Sequence, residues 1–144
     1  RSGGADGADT AFRKGATNSF SEVVPEIYIP WKGFNGLEHK PSEGIIEVYS
    51  SSSRERAYNI ASEIHPAWDK CSSGAKTLHL RSVFQVLGKD LETPSKFLVC
   101  WAKPTKDGVS GGTNIALELA KMHNIPCFNL YFEEVIERIS KFIN

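Results

Sequence analysis

Apolar positions along the chain follow two spacings, and together they outline an alternation of strands and helices. Residues 5–17 read as a helix entered from glycines, with Asp6 and Asp9 near its start, where carboxylates suit free amides and the helix dipole. Residues 26–30 (Glu-Ile-Tyr-Ile-Pro) form a short β-type run stopped by proline. A long loop rich in Gly, Lys and aromatics follows over 31–44, and loops of that length inside a domain often carry function. A strand is expected over 45–49, then a polar linker, Ser50 to Ser53, suited to capping the next helix. In 54–64, Ala57, Ile60, Ala61 and Ile64 recur at helical spacing until His65-Pro66. A second such stripe, Leu80, Val83, Phe84 and Leu87, predicts a helix over 75–87, closed by Gly88.

The run Phe97-Leu98-Val99-Cys100-Trp101 is the strongest strand signal. Its continuous apolar character predicts a central parallel strand buried on both faces. After a glycine-rich loop come a helix over 114–123, a strand over 126–130 and a last helix over 132–143. That helix is expected to bury Phe132, Val135, Ile136, Ile139 and Phe142 or Ile143. Strand–helix alternation of this kind implies parallel strands joined by right-handed crossovers. The expected fold is therefore α/β, a Rossmann-like open, mainly parallel sheet with helices on both faces, in a single domain over 1–144. The chain opens within one residue of a glycine-rich turn, with no strand ahead of it and no initiator Met, so the first strand and helix of such a domain are expected to be missing.

Composition narrows the function. With 144 residues, 40% hydrophobic and 24% charged, the chain can bury one core. Seventeen Lys plus Arg balance seventeen Asp plus Glu. That balance disfavours a protein that coats nucleic acid, which usually carries a basic excess. The three cysteines, Cys71, Cys100 and Cys127, show no CxxC or Cys/His ligand spacing. Neither a disulfide framework nor a metal site is expected, and a reducing, cytoplasmic compartment is. No run reaches the roughly 18 apolar residues of a membrane span, so no membrane partner is expected.

Two glycine-rich turns carry the candidate chemistry. In an open parallel sheet, ligands bind beyond the carboxyl ends of the strands. Gly111-Gly112-Thr113-Asn114 opens a helix after the strongest strand, and Ser2-Gly3-Gly4-Ala5-Asp6-Gly7 does the same before the first helix. Glycine lets backbone amides approach an anion closely, and a helix N-terminus adds unpaired N–H groups and partial positive charge. Neither turn is a GxGxxG dinucleotide fingerprint or a GxxxxGK[ST] phosphate loop, so no triphosphate chemistry with magnesium and no cofactor is expected. Arg81 has the fork geometry that suits phosphate, and Gln85 lies one helical turn beyond it on the same face. Trp101, at the end of the strongest strand, could stack on a base or close the core.

Read in order, Ser2-Gly3-Gly4-Ala5-Asp6-Gly7-Ala8-Asp9, Leu78-His79-Leu80-Arg81 and Gly111-Gly112-Thr113 with Ile125-Pro126 beyond resemble the SLOG superfamily. That group includes the DNA-processing protein DprA, the Lonely Guy phosphoribohydrolases and small phage or prophage members. The chain is most similar to the last, sharing Ile29-Pro30-Trp31-Lys32-Gly33-Phe34, His65-Pro66, Gln85-Val86-Leu87-Gly88, Pro94-Ser95 and Cys100-Trp101. The resemblance spans essentially the whole chain.

For the Lonely Guy enzymes it implies an arginine at Arg81, but their glutamate position falls on Ala116. Glu118 sits about 200° further round the helix. A carboxylate for N-glycosidic cleavage would have to come from Asp6 or Asp9. For DprA it implies single-stranded DNA binding, to which Trp31, Lys32, Phe34 and Lys40 could contribute a small platform. The favoured expectation is a sensing or sequestering module for a phosphorylated, nucleotide-type small molecule, held by Ser2, Gly3, Gly4, Ala5, Gly7, Arg81, Gln85, Trp101, Gly111, Gly112, Thr113 and Asn114. Nucleotide N-glycosidase activity through Arg81, Asp6 and Asp9 is the alternative. DNA binding is the less favoured one. A homodimer is compatible with the apolar face of the last helix.

Overall fold

A computed structural model gives the structure of residues 1–19 and 22–144. Among these described residues the helices are α1 (Ala8–Ser19), α2 (Arg54–Ile64), α3 (Ser73–Leu87), α4 (Thr113–Met122) and α5 (Glu134–Ile143). The strands are β1 (Ile27–Ile29), β2 (Ile45–Glu47), β3 (Leu98–Cys100), β4 (Pro104–Thr105), β5 (Gly108–Val109) and β6 (Cys127–Asn129). Among the described residues no helix is long and apolar enough to cross a membrane.

Helix α3 is the centre of the domain. Its start is fixed by Ser72, whose side chain accepts the Ala75 amide, and its end by Gly88 at φ 83°, whose N–H returns to the Phe84 carbonyl. Leu80, Val83, Phe84, Val86 and Leu87 are buried, together with Thr77 and Ser82. Apolar residues on more than one face mean that α3 is wrapped rather than laid on a surface. Ala57 and Ala61 of α2, and Ala116 and Ala120 of α4, bring small residues to the same core. Tyr28 of β1 tilts against Phe84 with ring centroids 5.7 Å apart. The Tyr28 hydroxyl, otherwise stranded in this apolar layer, donates to Glu26 Oε2 at 2.7 Å.

The sheet departs from the expected architecture. The protein is an α/β domain with three separate two-stranded sheets, β1–β2, β3–β6 and β4–β5, in place of one continuous open parallel sheet. The first two pairs are parallel and the third is an antiparallel hairpin absent from the sequence reading. The reason lies in the pairing partners. Ser2 forms a single parallel bridge to Ile27, exchanging bonds with Glu26 and Tyr28 at 2.9 Å each. Nothing among the described residues carries that pairing on to β3. One ladder edge of β3 is satisfied by β6, while the strand itself lines an open cleft. Leu98 and Val99 are therefore only half-buried and Trp101 is 59% exposed, unlike the doubly covered central strand expected for this run.

The two terminal helices are also less embedded than their stripes suggest. Helix α1 buries none of its residues and α5 buries only Val135. Phe142 packs edgewise on Phe97 and tilted on Phe128, covering β6, whereas Ile136 and Ile143 are exposed. The expected burial of Phe132, Ile136 and Phe142 or Ile143 does not occur, Phe142 remaining 48% exposed despite these contacts, because the underlying sheet is only two strands wide there.

Candidate functional site

A cleft of about 960 Å³ separates Ser2 and the residues leading into β1 from the β3–β6 pair. Its volume falls at the upper end of the roughly 300–1,000 Å³ usual for small-molecule sites. The cleft gathers residues far apart in sequence: Ser2, Ala5, Asp6 and Asp9 from the first turn and α1, Arg81 and Gln85 from α3, Trp101 after β3, and Gly112 and Thr113 at the start of α4. Both glycine-rich turns thus border one hollow. Gly3, Gly4, Gly7, Gly111 and Asn114 of the expected set are not among its lining residues.

The first turn is held mainly by its own contacts. The Gly4 amide donates to Ser2 Oγ at 3.2 Å, and the Ala5 amide to Asp9 Oδ2 at 3.3 Å. Gly4 adopts φ 65°, which a side chain rarely accepts, and its carbonyl accepts from Asn35 Nδ2 at 2.9 Å. Gly3 and Gly4 are buried, so they serve close packing, and two of the amides expected to meet an anion are spent inside the turn. Asp9 is engaged at its second oxygen as well, accepting from Gln85 Nε2 at 3.4 Å across the cleft.

Arg81 ties α3 to this turn. Its Nη1 donates to the Gly3 carbonyl at 3.0 Å, and its guanidinium lies 5.5 Å from the centroid of the Phe34 ring. Nε is sealed from solvent without a partner, and Nη2 bonds nothing among the described residues. Arg81 forms no ion pair among the described residues. Burial lowers the guanidinium pKa from its ordinary value, opposed by the nearby charge of Asp9.

At the second turn, the β4–β5 hairpin intervenes between β3 and α4. Asn114 Oδ1 accepts the Val109 amide at 3.3 Å, so that side chain anchors the hairpin. Gly112 precedes α4 with no side-chain cap, which leaves the first amides of the helix without the usual side-chain partner. Trp101 is exposed and packs on Tyr131 with centroids 5.5 Å apart. Ala116, where the resemblance would place a glutamate, lines the cleft as an apolar residue. Of the aromatic and basic residues weighed for DNA, Trp31 packs edge-on against Phe34 and Lys40 is paired with Glu43.

A second polar cluster lies elsewhere. His65, Cys71 and His79 each offer a ligand atom within 4.8 Å of the others, and none of the three lines the cleft. Spacings of five and seven intervening residues match no compact metal motif, so the cluster has no signature in the linear spacing. No protein-family model, curated protein or solved structure matches the chain.

Proposed function

We propose that the cleft binds a phosphorylated, nucleotide-type small molecule, as a sensing or sequestering module. One observation carries this reading: Arg81 is a partly buried cation without an ion-pair partner among the described residues, at the wall of a large cleft. Removing a charge from water is unfavourable unless an opposite charge answers it. Asp9 answers it only at a distance, because both of its oxygens bond elsewhere. A phosphate reaching Nη2 would supply the missing anion through charge-assisted hydrogen bonds. The uncapped start of α4 at Gly112 and Thr113 offers further amide donors to the same cleft. Exposed Trp101 provides a face against which a base can stack.

Calorimetric titration with AMP and with adenosine tests this directly. AMP is expected to bind at least about tenfold more tightly, since a hydrogen bond to a charged group contributes roughly 1.5–3 kcal/mol. Arg81→Lys, which keeps the charge but loses the fork, should narrow that gap. Equal affinity for the two compounds would overturn the proposal without reference to any variant.

N-glycosidic cleavage is a second reading, favoured by the presence of Asp6 and Asp9 in the same cleft. Chromatography of the incubated AMP separates the two, because release of free adenine requires turnover. The module reading expects AMP to be recovered intact. Cys71, Cys100 and Cys127 are free thiols, which suits the cytoplasmic setting proposed for either reading.

A further inference from the structure

We propose that His65, Cys71 and His79 form a site for one divalent metal ion of the Zn²⁺ class, with the fourth coordination position open. The site is independent of the nucleotide reading. Its residues come from three elements brought together by the packing of α2 on α3. His65 caps the C-terminus of α2, where Pro66 turns the chain away from the helix. Cys71 follows the short 3-10 turn Trp68–Lys70, and His79 lies on α3. Relative to Arg81, His79 is about 200° round the helix, which directs it away from the cleft.

One ligand atom from each of the three side chains lies within 4.8 Å of the other two. The rings of His65 and His79 lie with centroids 4.7 Å apart, and Cys71 Sγ is 3.9 Å from Nδ1 of His65 and 3.8 Å from its Nε2. A tetrahedral ion with bonds of about 2.0–2.3 Å holds its ligand atoms about 3.3–3.8 Å apart. Contraction of the observed cluster, whose ligand atoms lie within 4.8 Å of one another, by at most about 1.5 Å therefore completes the geometry. His65 Nδ1 accepts the Ala67 amide at 3.1 Å, so its lone pair is at that atom, and the sulfur lies nearly equidistant from the two ring nitrogens. His79 Nδ1 is sealed from solvent and has no hydrogen-bond partner among the described residues. A buried, unpartnered nitrogen in a ring that lies 4.7 Å from a second imidazole is a costly arrangement unless something else satisfies it.

The chemistry selects the ion. Two imidazoles and a thiolate are borderline-to-soft donors, which suit Zn²⁺ and not Mg²⁺ or Ca²⁺. Binding needs neutral rings and an ionised sulfur. On binding, the Cys71 thiol, which now donates to the Ala67 carbonyl at 3.6 Å, releases its proton to buffer. The His65 lone pair exchanges its amide donor for the ion. Three protein ligands then leave one position for water or another small ligand.

Chelator-treated full chain titrated with Co²⁺ provides the test. One equivalent should bind, produce a thiolate-to-cobalt charge-transfer absorption, and be displaced by Zn²⁺. Cys71→Ser should abolish that absorption. His79→Gln should weaken Zn²⁺ binding beyond the roughly 10–100-fold seen when only a ligand-orienting partner is lost. Because either variant could fail to fold, alkylation of the unaltered protein, read by peptide mass spectrometry, gives a second measurement. Zn²⁺ should protect Cys71 from the reagent. Substoichiometric Co²⁺ uptake, a charge-transfer band that survives Cys71→Ser, or alkylation of Cys71 indifferent to Zn²⁺ would each overturn the proposal.

Discussion

Arg81 and Gly3 are fitted to one another: the guanidinium donates to the Gly3 carbonyl at 3.0 Å and lies where a side chain on that residue would have to go. A Cβ built at Gly3 would sit 2.7 Å from Arg81 Nε and 2.9 Å from Asp9 Oδ2. The first turn, the central helix and the start of α1 are thus joined through a residue with no side chain. The link matters because the same arginine forms the charged wall of the cleft.

Gly3→Ala is expected to lower stability by about 1–3 kcal/mol, the usual cost of overpacking a filled site. It should also displace Arg81 and weaken AMP binding. Gly112→Ala is the control: its Cβ would meet nothing within 4 Å, and the backbone there is ordinary right-handed helix at φ −68°. Its stability should stay within about 0.5 kcal/mol of the parent. Urea unfolding of the two variants beside the parent checks both outcomes, and equal stability of all three would show that Gly3 is not packed as described.

Legibility in the sequence followed the range of the forces involved. Helix α2 spans the residues that its apolar spacing predicted, and Gly88 ends α3 as expected, because spacing and capping are local. The strand signal of Phe97 to Trp101 misled about environment. A continuous apolar run reports a chain that tolerates burial, whereas the coverage of β3 depends on which strands pair with it. The hairpin of β4 and β5 was invisible because two-residue strands carry no periodicity. Arg81 and Gln85 are legible as neighbours on one helix face and Asp9 as a separate candidate, but Asp9 spending both oxygens on Ala5 and Gln85 is a long-range fact. The His65, Cys71 and His79 cluster arises from helix packing, and no spacing rule would have found it.

Phe84→Ala should be the most damaging of the core truncations. Phe84 is fully buried and touches both the α2–α4 core and Tyr28 of β1, so its removal opens a cavity at the junction of helix and strand. A loss of about 3–5 kcal/mol is expected. A melting curve within a few degrees of the parent would mean that the neighbouring side chains collapse into the space.

Acid should act partly through Asp90. Its carboxylate accepts the Glu92 amide at 2.9 Å and the Thr93 hydroxyl at 3.0 Å, and these bonds hold its pKa below the ordinary carboxylate value. A depressed folded-state pKa means that the contribution is present above the unfolded value near 4 and fades as pH falls through the folded one. Asp90→Asn should therefore flatten the decline in stability below about pH 4. An unchanged acid limb in chemical unfolding from pH 5 to pH 2 would argue that the turn closes without this carboxylate.

The three thiols should separate by reactivity, and the order follows from their surroundings. Cys100 is buried in β3, and burial together with neighbouring Cys127 pushes its pKa up to about 11. Alkylating agents attack the thiolate, so at pH 8 almost none of Cys100 is in the reactive form, and access is restricted as well. Cys127 is shifted the same way, chiefly by burial, although Lys121 and Arg138 oppose the shift. Cys71 is half-buried in a turn away from both strands. In metal-free native protein, iodoacetamide should consequently modify Cys71 first and Cys100 last, with the order read from peptide masses over time. The raised Cys100 pKa also fixes a sign: the protonated thiol favours the folded state, and that advantage, complete below the unfolded pKa near 9, disappears as pH rises towards 11. Cys100→Ala would remove this term while leaving a small cavity, so its stability profile should be flatter than the parent's between pH 9 and 11. A Cys100 that reacts as fast as Cys71 would require β3 to open readily along its cleft-facing side.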